Sequence, residues 1–246
     1  MNLRRVLVSL LAAATLLPAI SHAEAPGRDA FARGKAALEQ GDDAAARAAF
    51  EEAVAASRGW LLPRLELAEL AVRRRERVAE ERAALLEAAG PDSDVPRVHR
   101  LLAELAELAG DDEAAARSWS EAIERMPRDV EMRQRRAAVL FRLGRHAEAA
   151  EDWDRVVRAR PDEPHLRLLL ADALESAGRA DEARAHLETA IRLQPGKETP
   201  VRRLARFLER RGETGEAKVW HAKADALRDR PPAPQRNLRP LLPSRR

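Results

Sequence analysis

The 246-residue chain contains no cysteine and no tyrosine, and aromatic residues make up only 3% of it. The absence of cysteine excludes disulfide bonds, thiolate metal sites, cysteine nucleophiles and the acylated N-terminal cysteine of a bacterial lipoprotein. A low aromatic content disfavours a protein built of strands, where such residues are enriched. Ala, Leu, Glu and Arg are abundant instead, and because all four are strong helix formers the composition predicts an all-α fold.

Long apolar runs are also scarce, and the clearest one lies at the N-terminus. Arg4 and Arg5 precede an uncharged, largely apolar run of about 15 residues, and Ser21-His22-Ala23 follows with small residues at the cleavage positions. The run is shorter than the ~20 residues of a spanning helix, so the pattern predicts a cleavable signal peptide over residues 1–23 rather than a retained anchor. We expect an exported protein without an integral membrane span after cleavage following Ala23, periplasmic if the source is Gram-negative.

The charge is balanced despite a sequence pI near 9.9. The net charge is +3, but two arginines belong to the signal segment and five belong to the last 17 residues, which leaves −4 for the rest. A net negative charge in this central part of the chain disfavours binding to nucleic acid, whose phosphates require concentrated positive charge. Residues 230–246 are rich in Pro and Arg without helical periodicity, which predicts a disordered basic tail. The tail is either a solvated terminus or a strap for an acidic partner or anionic lipid.

An internal repeat organises the remaining residues. Three residue types recur every 34 residues: Gly110, Gly144, Gly178 and Gly212; Pro127, Pro161 and Pro195; and Ala115, Ala149, Ala183 and Ala217. Gly accepts the positive φ of a tight turn between two helices, and Pro ends the second helix. The small Ala lets two helix axes approach closely. Helical spacing also predicts Trp119 and Trp153 as core residues rather than ligand platforms.

This pattern resembles the tetratricopeptide repeat, a 34-residue helix–turn–helix unit. The first unit matches through Gly34, Gly41, Ala46, Phe50 and Ala53. The second departs from it, with Arg75 in place of the turn glycine and one inserted residue. The sixth has His221 and Asp225 at packing positions, as expected of a terminal cap. The resemblance implies an α-solenoid of about six repeats over residues 27–229, forming a right-handed superhelix. The units span about 27–60, 61–95, 96–129, 130–163, 164–197 and 198–229.

The resemblance also implies a partner-binding groove, because the first helix of each repeat lines a concave surface in that family. The matching positions that we expect to contact a partner are Arg97, Arg100, Glu104, Glu107, Gln134, Phe141, His165, Leu168, Asp172, Arg202 and Arg206. The best-known clamp of this family uses Lys and Asn to grip the terminal carboxylate of a peptide. Neither residue type occurs among these positions, so the resemblance does not imply that clamp here. We hypothesise that the groove binds an extended polypeptide through charge-assisted contacts around Phe141 and Leu168. The alternative is that these residues form solvent-exposed helix faces that bind no partner.

Catalytic chemistry is not indicated by any motif. The five histidines after the signal segment, His99, His146, His165, His186 and His221, lack the close spacing of a zinc site. Carboxylates lie amid arginines, and neither a phosphate-binding loop nor a nucleophile elbow is present. We therefore predict a non-enzymatic scaffold or adaptor in the cell envelope, without cofactor or metal, that binds protein partners. The alternative is a periplasmic chaperone-like or polysaccharide-export module that binds a polymer.

Overall fold

The computed structural model describes residues 27–90 and 93–229, and these fold into twelve α-helices without a strand. In chain order the helices are α1 (Arg28–Glu39), α2 (Asp43–Ala56), α3 (Leu61–Arg74), α4 (Val78–Ala89), α5 (Pro96–Leu108), α6 (Asp112–Arg125), α7 (Val130–Arg142), α8 (His146–Ala159), α9 (Pro164–Ser176), α10 (Ala180–Leu193), α11 (Glu198–Arg210) and α12 (Thr214–Arg228).

The turns between paired helices have the predicted backbone. Gly110, Gly144, Gly178 and Gly212 all have φ between 75° and 79°, a left-handed conformation that Gly adopts without a Cβ clash. The chain reverses within three residues at each of them, because the amide after the glycine donates to a carbonyl of the preceding helix, as from Arg145 to Leu140 at 2.9 Å. Pro127, Pro161 and Pro195 each follow the end of a second helix, as predicted.

The second pair makes its turn without glycine. Arg75 has φ 57° and ψ 37°, and Arg77, immediately before α4, has φ 52°. Each is a non-glycine residue in the left-handed region, where the Cβ approaches the following carbonyl. This confirms that Arg75 stands at the turn position, and it places backbone strain at the start of α4.

The helices divide into two bodies, one ending at Asp111 and one beginning at Asp112. In the first body α1 packs on α2, α2 on α3, and α3 on α4, while α5 packs on both α3 and α4. In the second body each helix from α6 to α12 packs on the next in the chain. Successive stacking of helix pairs is the α-solenoid architecture, which confirms the predicted fold class.

Both cores consist of aliphatic side chains with a few aromatic ones. In the first body Phe50 is fully buried, and a Cβ added at Gly34 would overlap its ring. The glycine in α1 therefore makes room for the phenyl group. In the second body Trp119 and Trp153 are 1% and 4% exposed, which confirms that both are core residues.

The signal peptide predicted over residues 1–23 and the tail predicted over residues 230–246 lie outside the described residues. Within the described part of the chain, no helix combines the length and the apolar character needed to cross a bilayer.

Candidate binding surfaces on the first helices

In the first body, the predicted groove residues Arg97, Arg100 and Glu104 take part in one ion-pair network that joins α1, α3 and α5. Arg97 binds Glu66 at 3.0 Å and Glu69 at 2.9 Å. Arg100 binds Glu69 at 2.9 Å and Glu104 at 3.0 Å. The charges that sequence reasoning assigned to a ligand are thus already paired within the chain.

The network is partly buried, so removal of one partner would leave another charge poorly solvated and unpaired. Glu66 is only 5% exposed and also accepts a hydrogen bond from Lys35 of α1 at 3.2 Å. Burial alone would raise the pKa of Glu69, but the hydrogen bonds from Arg97 and Arg100 outweigh it and lower the pKa. This face holds α1, α3 and α5 together, and a ligand would have to displace existing partners.

The fourth predicted residue of this body, Glu107, lies half-buried on α5. It has interaction partners within the described residues.

In the second body, the predicted residues differ in accessibility. Gln134, Phe141 and Asp172 are half-buried, and His165 is exposed near Glu163. Leu168 is 8% exposed. The expectation that Leu168 is available to a ligand is therefore wrong, because its side chain packs in the core.

A cleft of about 220 Å³ opens beside Phe141 and is lined by residues of α7, α8 and α9. Its lining is mostly apolar and consists of Ala138, Phe141, Arg142, Trp153, Leu169 and Asp172. We call it the α7–α9 cleft. Leu169, rather than its neighbour Leu168, is the α9 leucine that faces it.

Charged side chains at the rim of this cleft are paired. Arg142 donates to Asp112 from Nε at 2.9 Å, and Arg203 of α11 donates to Asp172 at 2.6 Å. Burial raises the pKa of Asp172 even though Arg203 is bound to it. One helical turn further along α9, Glu175 receives both prongs of Arg210 at 2.7 and 2.8 Å. These contacts fix α11 against α9.

The two arginines predicted on α11 differ in their surroundings. Arg202 donates to Glu198 and reaches Asp225 of α12 at 2.9 Å. Its guanidinium therefore binds the second helix of its own pair, which corrects its placement in an open groove. Arg206 is exposed and has no ion pair within the described residues, so it remains an accessible cation.

Sequence reasoning missed Leu169, Arg203 and Arg210. Leu169 lies within a run of three leucines, where apolar spacing cannot show which member faces outward. Arg203 and Arg210 have acidic partners 31 and 35 residues away, about one repeat. A search for opposite charges one repeat apart would have found both.

Metal-binding geometry is not seen among the described residues, where no three His, Asp or Glu side chains are grouped to hold an ion. The paired carboxylates described above contact arginines instead.

The family model of the tetratricopeptide repeat matches residues 101–156 and 135–198. No curated protein sequence matches the chain. Among solved structures, a crystal structure of the MamA protein superimposes with a TM-score of 0.62 at 17% identity, over 70% of this chain and 94% of that one. MamA from Desulfovibrio magneticus RS-1 gives a TM-score of 0.57 at 19% identity, over 67% and 95%.

A third neighbour is YrrB, described as a tetratricopeptide repeat protein with an unusual peptide-binding site. Its TM-score is 0.62 at 16% identity, with 72% of this chain and 91% of that chain covered. At such identities the likeness concerns the fold. Together with the 34-residue period, the family-model match identifies tetratricopeptide repeats within residues 101–198, and the stacked helix pairs of the described residues have the fold of these neighbours.

Proposed function

We propose that the protein is a non-enzymatic scaffold that binds an extended polypeptide along α7 and α9, with an apolar ligand side chain in the α7–α9 cleft. The observation that carries the proposal is this cleft, where Phe141 and Leu169 present apolar surface beside a buried Trp153. A volume of about 220 Å³ is below the roughly 300–1,000 Å³ of independent small-molecule sites. It suits one side chain of a longer ligand.

Because the charged residues at the rim are already paired, we expect the cleft to recognise the shape of an apolar ligand side chain more than its charge. Arg142 and Asp172 are each engaged by another side chain of this body. A ligand therefore gains little from opposing them, while burial of its apolar side chain contributes about 25 cal/mol per Å². Arg206, exposed on α11, adds one cation that favours an acidic residue in the ligand. The peptide-binding site of the structural neighbour YrrB supports a peptide ligand on this fold.

Selection from a random-peptide phage library tests the proposal. Ala138→Phe fills the cleft, and we expect the selected peptides to share an apolar residue and to lose binding to this variant. Ala147→Phe on α8 is the matched control, since Ala147 is exposed and outside the cleft. Failure to select peptides, or retained binding by a folded Ala138→Phe variant, would contradict the proposal.

We further propose that this binding takes place in the cell envelope after export, on the basis of the signal pattern in residues 1–23. The source cell, expressing the full-length chain, would be fractionated and the N-terminus of the recovered protein sequenced. A periplasmic protein that begins at Glu24 is the expected result. An intact N-terminus in the cytoplasmic fraction would refute it without affecting the cleft.

A further inference from the structure

A second concave region lies in the first body. It is a cavity of about 770 Å³ between α2, the start of α3, and α4. Its volume falls within the roughly 300–1,000 Å³ of small-ligand sites. Its charged lining residues are Glu51, Arg58, Arg64, Arg77, Glu81 and Glu87. We call it the α2–α4 cavity.

Glu81 departs from the repeat at a position where every other second helix has alanine. The fourth residue of the other second helices is Ala46, Ala115, Ala149, Ala183 or Ala217, each no more than 3% exposed. In α4 the fourth residue is Glu81, which is also 3% exposed. The position that elsewhere permits close helix packing thus buries a carboxyl group, and the cavity opens beside it.

The carboxyl group of Glu81 is incompletely satisfied. Its Oε1 lies 4.0 Å from Nη1 of Arg77, but Arg77 already donates to Glu51 and Glu80 at 2.6 Å each. The Oε2 atom is buried and has no hydrogen-bond partner among the described residues. Burial raises the pKa of Glu81, against the influence of Arg77, Arg64 and Arg47. A buried acceptor without a donor costs free energy, and a cationic donor in the cavity would offset that cost.

Two arginines supply the opposite charge. Arg58, in the α2–α3 loop, is exposed, and Arg64, in the first turn of α3, is half-buried. Neither forms a hydrogen bond or an ion pair within the described residues, although Arg64 is close enough to act electrostatically on Glu81. The cavity therefore combines an unsatisfied acceptor on α4 with two available guanidinium groups near the start of α3. Ligand carboxylates are the natural partners of such planar forked donors.

We propose that the α2–α4 cavity binds a small zwitterion that carries both a primary ammonium group and a carboxylate, as a free amino acid or a short peptide with free termini does. The ammonium group donates to the carboxylate of Glu81, and the ligand carboxylate accepts hydrogen bonds from Arg64 and Arg58. The site is separate from the α7–α9 cleft, so the proposal stands or falls independently of the scaffold function.

Isothermal titration calorimetry of the full chain with glycine and with trialanine tests this site. We expect saturable binding of at least one of them. The ligand with the higher affinity shows whether the site prefers a free amino acid or the termini of a short peptide. Trialanine blocked at both ends should not bind, because it lacks both charges. Glu81→Ala and Arg64→Ala should each weaken binding roughly tenfold or more, the usual effect of removing a hydrogen bond to a charged group.

Glu81→Ala is expected to fold, since alanine is the residue at this position in the other repeats. Glu148→Ala is the matched control: Glu148 is exposed on α8 and precedes Ala149, and its loss should leave the affinity unchanged. The proposal is overturned if neither zwitterion binds, if the blocked peptide binds equally well, or if Glu81→Ala keeps the wild-type affinity.

Discussion

Arg136 of α7 holds the buried Asp152 of α8 through two parallel hydrogen bonds, from Nε at 2.6 Å and from Nη2 at 2.8 Å. The remaining Nη1 donates to the hydroxyl of Ser120 in α6 at 3.0 Å, and that hydroxyl donates to the carbonyl of Ala116. Asp152 is 1% exposed. One guanidinium thus ties three consecutive helices of the second body together, in a geometry that Lys could not reproduce.

Asp152→Ala should therefore lower the free energy of unfolding by about 3–5 kcal/mol, because it leaves the guanidinium of Arg136 partly buried without its partner. Asp154→Ala is the control, since Asp154 pairs with Arg158 near the surface, and exposed pairs contribute less than about 1 kcal/mol. Urea denaturation of both variants measures the difference. Equal losses would show that Arg136 finds another acceptor.

Trp153 combines a core role with a wall of the α7–α9 cleft. Trp153→Ala should cost about 3–5 kcal/mol of stability, as large-to-small substitutions in cores do. Trp220→Ala provides a comparison, since Trp220 is only half-buried on α12 and should cost less. Thermal and urea denaturation report both losses. A change below about 1 kcal/mol for Trp153→Ala would be inconsistent with its 4% exposure.

The turn residues allow a reciprocal test of backbone strain. Gly144→Ala should destabilise the protein by about 1 kcal/mol, because a Cβ there meets no neighbour and only the left-handed backbone opposes it. Arg75→Gly should stabilise it, by less than about 1 kcal/mol, since the relief of strain is partly offset by the greater entropy of glycine in the unfolded chain. Chemical denaturation measures both signs. A loss of stability in Arg75→Gly would mean that the Arg75 side chain contributes contacts that outweigh the strain.

The buried carboxyl group of Glu81 predicts a pH dependence of stability. Because its pKa in the folded protein lies above the ordinary value of 4.5, its contribution to stability is complete below pH 4.5 and is lost as the pH rises through the folded-state pKa. Glu81→Gln cannot ionise. The stability of this variant relative to the wild type should therefore increase with pH over that range, as measured by urea titrations at a series of pH values.

Glu148→Gln should show the opposite trend. The hydrogen bond from Arg145 lowers the pKa of Glu148, so the wild type loses stability relative to this variant as the pH falls below 4.5 and through the lowered pKa. Parallel slopes for the two variants would contradict the assignment of a raised pKa to Glu81.

Much of the fold was predictable because the same turn and helix-end residues recur in successive repeats. Gly144 and Pro161 mark turns and helix ends by local backbone chemistry, which does not depend on distant contacts. The buried Trp119 and Trp153 followed from helical spacing. The candidate binding residues were predicted less well: Leu168 is buried, and Arg202 binds α12.

The sequence by itself determined the all-α class, the 34-residue period, the glycine turns and the turn in which Arg75 replaces glycine. Each of these depends on propensity and spacing along the chain. Tertiary structure decided which charges remain available. Arg97 and Arg203 pair with carboxylates about one repeat away, so their availability depends on how neighbouring helices pack and on the rotamers that packing selects. The same packing sets Leu169 at the surface of the cleft and encloses Glu81 beside the α2–α4 cavity, relationships that a one-dimensional pattern does not contain.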